Sequence, residues 1–229
     1  MKGVTGVGLP LVTVPVMAGF LGVERAVLVM VIPSFVLNLV QAWSHRGERF
    51  AVPEVPRILV GGMLGAGLGA SILAWASDAT LALALGVWIF AYLLFRFLHP
   101  QFRLALPARL RWSPLVGVSA GAMQAATGIS APIIVPYTDA LKLQPAQYVY
   151  AVCAPFCAFA AAHCMVLAWS GYYATELLWQ SALAVLPAVA FVPVGTWLRK
   201  FIAPSIFDLL VRALLIVMAI RLIAGAVSF

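Results

Sequence analysis

Charge is what this sequence has least of. Only 9% of its 229 residues are charged, seven of them acidic and fourteen Lys or Arg, where an ordinary soluble domain carries about a quarter. The scattered carboxylates form no acid pair, and neither a serine triad nor a phosphate-binding Gly-Lys motif is present. Hydrolytic chemistry, a nucleotide site and a prosthetic group therefore find no residues to build on, and no enzyme is expected. Cysteine is scarce as well. Cys153, Cys157 and Cys164 all fall in one apolar segment, and an odd count in hydrocarbon argues against a disulfide framework. His163 lies beside Cys164, but no CxxC pair occurs and the ring does not share the thiols' face, so no metal site is expected. A thiol-based redox or assembly role, which would require at least one of those cysteines, is the main rival reading, and a passive channel is the second.

What the chain has is length in apolar sequence. Mean hydropathy is +1.06, and 64% of residues are apolar. Charge-free stretches run from Ala26 to Trp43, Ile58 to Ser77, Ala79 to Phe95, Leu143 to Thr175 and Leu177 to Leu198. Each is long enough to span a bilayer, which takes about 18 apolar residues or more. A transmembrane barrel would show alternating segments of about 10 residues instead. The fold class is thus all-α, a polytopic membrane protein. The net charge of +7 sits in short connections between apolar segments, a positive-inside pattern and not a nucleic-acid face. Lys2 and the apolar run after it do not read as a leader, since Pro10 and Pro15 interrupt the run.

The connections at 45–49, from Arg96 to Arg111 and at Arg199-Lys200 are basic, whereas Ser77-Asp78 and the turn from Ser170 to Glu176 carry no Lys or Arg. Counting Lys and Arg alone, the first three are cytoplasmic and the other two external. Alternation then fails between Arg111, inside, and Ser170, outside, because two apolar stretches separate them. It is restored if 113–141 enters the membrane, breaks at Thr127-Gly128 and leaves on the side it entered. Non-helical backbone at that depth is tolerated where protein or a cavity shields it. Spanning helices follow at 143–169, 177–198 and 205–228.

The same unit occurs in the first half. Thr5-Gly6-Val7-Gly8-Leu9-Pro10 and Thr127-Gly128-Ile129-Ser130-Ala131-Pro132 lie 122 positions apart, and Pro33 and Pro155 share that offset. Residues 3–22 hold the first break, with spans at 24–44, 57–76 and 79–97. Corresponding loops differ in charge, so the halves, 1–111 and 112–229, are expected to be inverted repeats. The first break is expected to lack the incoming arm that 113–122 gives the second. Gly61, Gly65 and Gly69, at four-residue spacing, read as a packing seam.

An interrupted helix exposes unpaired N–H groups and about half a positive charge at its start, an anion site that needs no charged side chain. Candidate ligands are therefore Thr5, Gly6 and Gly8 in one break and Thr127, Gly128 and Ser130 in the other. The polar residues within charge-free spans join them: Ser34, Asn38 and Gln41 on one helical face, Gln124 before the second break, and His163, which the 122 offset pairs with Gln41. Polar groups at such depth are functional candidates by default, and the imidazole is the candidate for proton coupling. Asp208 and Arg212 read as an ion pair at helical spacing, and Arg221 as a snorkelling cation.

Gly6-Val7-Gly8 with Pro15, and Gly128-Ile129-Ser130-Ala131-Pro132 with Tyr137, resemble the two half-signatures of the TauE/SafE family of sulfite-exporter-like permeases. The segment from Pro33-Ser34-Phe35 to Asn38 is similar to the polar-dotted helix that follows the first of them. The resemblance covers nearly the whole chain. It implies a transporter in the bacterial cytoplasmic membrane, its partners the lipid bilayer and a small anion such as sulfite, a sulfonate or sulfoacetate. It is compatible with an oligomer.

Overall fold

A computed structural model describes residues 8–98, 104–169, 171, 175–198 and 204–227. Among them the chain is helical, with no strand. The short helix α1 (Gly8–Leu21) turns at Gly22 into α2 (Val23–Ser44); a single 3₁₀ turn, Arg46–Phe50, leads to α3 (Val55–Trp75) and then α4 (Asp78–Leu98). The second half has α5 (Leu106–Thr127), the short α6 (Ala131–Ala140), α7 (Pro145–Trp169), α8 (Thr175–Leu198) and α9 (Pro204–Val227). Four of these, α2, α3, α7 and the Asp78–Phe95 part of α4, are long and apolar enough to cross a membrane by composition among the described residues. Helices α8 and α9 have 24 residues each, about 36 Å at the usual rise, and coincide with the expected spans.

The expected break is present. Helix α5 ends at Thr127, Gly128 takes a left-handed conformation at φ 75°, and α6 begins at Ala131. Gly128 closes α5 in the usual way, its N–H donating to the Gln124 carbonyl at 2.8 Å. The segment also returns to where it started. The Tyr137 hydroxyl donates to the Arg109 carbonyl at 2.7 Å, and the Leu104 amide reaches the Ala140 carbonyl at 3.5 Å. So α5 and α6 form a hairpin with both ends on one face. Helix α5 starts earlier than 113, with Pro107 in its first turn. Arg109 and Arg111 therefore lie on the helix and not in the connection before it.

Two sets of contacts define the ends of the bundle. At the basic end Arg109 forms an ion pair with Glu54, ahead of α3, at 2.8 Å. At the other end the Asp78 carboxylate accepts the Glu24 amide at 3.1 Å, and the Arg221 guanidinium donates to the Gly19 carbonyl at 2.6 Å and stacks over Phe20. Arg221 thus neutralises the negative end of α1. Helix α1 runs from the interior to this end, whereas α6 runs from the interior to the basic end, so the two short helices point in opposite directions. Exposed aromatics mark both ends: Trp43, Phe97 and Trp112 at the basic end, Phe20, Trp75 and Trp169 at the other, the arrangement of interfacial belts. The Asp208 side chain lies outside the described set.

The helices pack in corresponding pairs. Helices α2 and α7 contact each other; α2 also packs on α8 as α7 packs on α3, and α1 meets α9 as α6 meets α4. The tightest seam joins α3 and α5. A methyl group on Gly61, Gly65 or Gly69 would strike the carbonyl of Pro114, Val118 or Ala122 respectively, and Gly117 and Gly121 of α5 meet the backbone of Ile58 and Gly62 in return. In lipid such approach supplies van der Waals and Cα–H···O contacts where no hydrophobic force exists between helices. Gly65→Val is therefore expected to destabilise the protein by at least the ~1–3 kcal/mol typical of overpacking. Gly67→Val, where nothing lies within 4 Å, is the neutral control. Thermal melting of both variants in detergent, followed by tryptophan fluorescence, reads the difference.

Candidate functional site

Pro33 and Pro155 lie inside α2 and α7, and each removes an N–H from its helical ladder. In α2 the orphaned carbonyl is that of Val29. The Ser181 hydroxyl of α8 donates to it at 2.9 Å, and the Ile32 amide donates to the same hydroxyl at 3.4 Å. Ser181 is fully buried and stitches the proline interruption shut. Just beyond it on α2, Ser34 turns toward α5 and α7.

There the second break comes into play. Val27, Met30, Val31 and Ser34 of α2, Gln124 and Gly128 at the end of α5, and Ala160 and His163 of α7 line a cavity. Its fillable volume is about 10 Å³, room for one water at most. No charged residue lines it. The amides of Ile129, Ser130 and Ala131 stand between the two helical ladders, and among the described residues none donates to a carbonyl. They form an unpaired N–H cluster next to the cavity, at the start of a helix whose dipole favours negative charge there. A Cβ on Gly128 would sit 3.2 Å from Val14 and 3.4 Å from Val27, so the turn is wedged against both α1 and α2.

One residue lining this cavity carries an unpartnered polar atom. His163 is 1% exposed, and its Nε2 has no hydrogen-bond partner. Burying such a group unpaired costs about 1–3 kcal/mol, and unpaired buried polar atoms concentrate at sites that bind something.

The other sequence candidates are placed as follows. Gln124 is held from both sides: its Nε2 donates to the Phe156 carbonyl at 3.5 Å, and its Oε1 accepts the Ser130 hydroxyl. Ser130 thus orients Gln124, and Ser130 is itself buried. Thr127 bonds back to the Met123 carbonyl at 2.7 Å, and Asn38 to the Ser34 carbonyl at 2.7 Å; both satisfy their own helices. Gln41 accepts a weak bond from the Cys153 thiol at 3.7 Å, away from the cavity. Gly8 begins α1, while Thr5 and Gly6 lie outside the described residues. Among the described residues no cluster of His, Cys, Asp or Glu could hold a metal. Sequence reasoning missed three features: Ser181, the Glu54–Arg109 pair, and the Gly117-x-x-x-Gly121 face of α5. Only the last carries a local signal, since its spacing matches that of Gly61, Gly65 and Gly69.

No curated protein and no solved structure matches this chain. The family model described as "Sulfite exporter TauE/SafE" matches residues 1–222. Together with the membrane-length helices and the broken α5–α6 hairpin, that match places the chain: it belongs to the TauE/SafE sulfite exporter family of membrane transporters.

Proposed function

We propose that the protein is a secondary transporter of small organic or sulfur-containing anions, such as sulfite, sulfonates or sulfoacetate, in the bacterial cytoplasmic membrane. The carrying observation is the uncharged cavity at the α5–α6 break, lined by Ser34, Gln124, Gly128 and an unpartnered His163, with the unpaired amides of Ile129, Ser130 and Ala131 following Gly128 in the chain. A tetrahedral or trigonal oxyanion accepts hydrogen bonds from several directions, and such a cluster offers donors without the cost of burying a permanent cation. Residues 1–111 and 112–229 act as two inverted repeats, with the basic end in the cytoplasm. In this proposal Thr5, Gly6 and Gly8 also contribute to the anion site, and rocking of one repeat against the other gives alternating access. A cavity of about 10 Å³ is too small for an oxyanion, so in this proposal it widens when the anion binds.

The test is counterflow. Proteoliposomes loaded with unlabelled anion are expected to take up the same labelled anion transiently and with saturation, from a panel of sulfite, methanesulfonate, sulfoacetate and simple carboxylates. Linear, non-saturating flux would indicate a channel, and no counterflow with any member of the panel would remove this reading. A variant lacking Cys153, Cys157 and Cys164 is expected to keep its counterflow; its loss would revive the thiol-based rival.

A further inference from the structure

We infer that His163 carries a proton with each anion, so that the loaded site is neutral when a monovalent anion crosses. This rests on the transporter reading and assigns its coupling. A helix start offers only about half a positive charge, which leaves a buried anion undercompensated in a low-dielectric cavity. The missing charge has to come from a group lining the cavity. The elements packed against α7 carry their charges towards the membrane ends: Glu24 and Arg25 on α2, Glu54 and Arg57 around the start of α3, Arg109 and Arg111 on α5, and Asp139 on α6. The 3₁₀ turn at 46–50 likewise sits at the basic end. None of these lines the cavity, and neither do the α7 thiols Cys153, Cys157 and Cys164. His163 alone among the lining residues can change its charge.

Its geometry suits that role. Nε2 is buried and has no partner, so no existing hydrogen bond must break before it takes a proton. A protonated Nε2 becomes a donor on a residue that lines the same small volume as Gln124 and Gly128. When the anion leaves, the proton returns to water at the open face. The ring goes back to neutral, and the empty cavity closes on an uncharged site. The empty carrier therefore reorients without burying a charge, which is the condition for obligatory cotransport.

The test uses purified full-length protein in proteoliposomes with labelled methanesulfonate, which stays a monoanion throughout the accessible pH range, so that pH dependence belongs to the protein. A proton gradient of one pH unit, acid outside, is expected to drive about tenfold accumulation, since a one-to-one coupling equates the two gradients. An internal pH dye is expected to record one proton entering per anion, and a potassium diffusion potential is expected to leave the rate unchanged. His163→Gln, checked for monodispersity, is expected to lose the gradient-driven accumulation and the fall of uptake with rising external pH. Net anion uptake without proton entry, or a rate that follows the imposed potential, overturns the inference, and counterflow that persists in the same vesicles leaves the transporter reading intact. Undiminished proton-driven accumulation by His163→Gln overturns it equally. Absence of counterflow for every anion removes the transporter reading itself.

Discussion

Gly128→Leu is expected to reduce anion flux to the background of protein-free vesicles while the protein remains expressed and monodisperse. Two effects act together. Gly128 holds φ at 75°, where a residue with a Cβ is strained by about 1–3 kcal/mol. The added side chain would also press on Val14 and Val27, the latter a lining residue of the cavity of about 10 Å³. It would displace the amides of Ile129, Ser130 and Ala131 from the space the anion needs. Gly128→Ala separates the two effects. It carries the same backbone strain with a contact of 3.2 Å to Val14, so it should weaken counterflow without abolishing it. Equal counterflow in wild type and Gly128→Leu would mean that transport does not pass through this break.

The largest loss of stability is expected from Arg109→Ala. Glu54 is 1% exposed, and the Arg109 guanidinium is its only ion-pair partner among the described residues. Removing one member of a buried pair leaves the other as an uncompensated charge, at a cost of about 3–5 kcal/mol. The affected contact is also the one that fastens the hairpin, since the same residue's backbone carbonyl accepts Tyr137. Replacing both Glu54 and Arg109 with methionine should recover most of the loss, because apolar side chains of similar volume often substitute for a buried pair without penalty. Melting temperatures of the single and double variants in detergent decide it. A double variant no more stable than Arg109→Ala would show that the pair contributes through something other than its buried charges.

Hydropathy made the spans legible, because a helix facing lipid has to be apolar over its full length. Charge alternation made the hairpin legible: an even number of crossings between Arg111 and Ser170 contradicts the distribution of Lys and Arg, and a break at Thr127-Gly128 resolves it. Helix α5 was harder to delimit. Arg109 and Arg111 look like residues of a connection, and what admits Arg109 to the helix is Glu54, which lies 55 positions away. Ser181 was invisible for the same reason. Its task is defined by Pro33 on another helix, and no local pattern announces it.

The candidate site was legible as chemistry and only partly as geometry. Ser34, Gln124, Gly128 and His163 converge on one cavity, as polar residues at membrane depth should. Asn38 and Thr127 share the same composition signal but bond to their own helices at i−4. Local back-bonding of this kind is a standing competitor of any functional reading for short polar side chains. Ser130 supports Gln124, a role the sequence order of the two residues does not reveal. The 122-residue offset pairs Gln41 with His163, yet of the two only His163 lines the cavity.

In the proposed transport cycle an oxyanion is held at the start of α6. Selenite, an anomalous scatterer with the shape of sulfite, tests it most directly in a structure of the purified protein. The account predicts an anomalous peak within hydrogen-bonding distance of the Ile129–Ala131 amides and beside His163, in a cavity wider than the present 10 Å³. Selenite bound elsewhere in the bundle, with those amides still unoccupied, would contradict it.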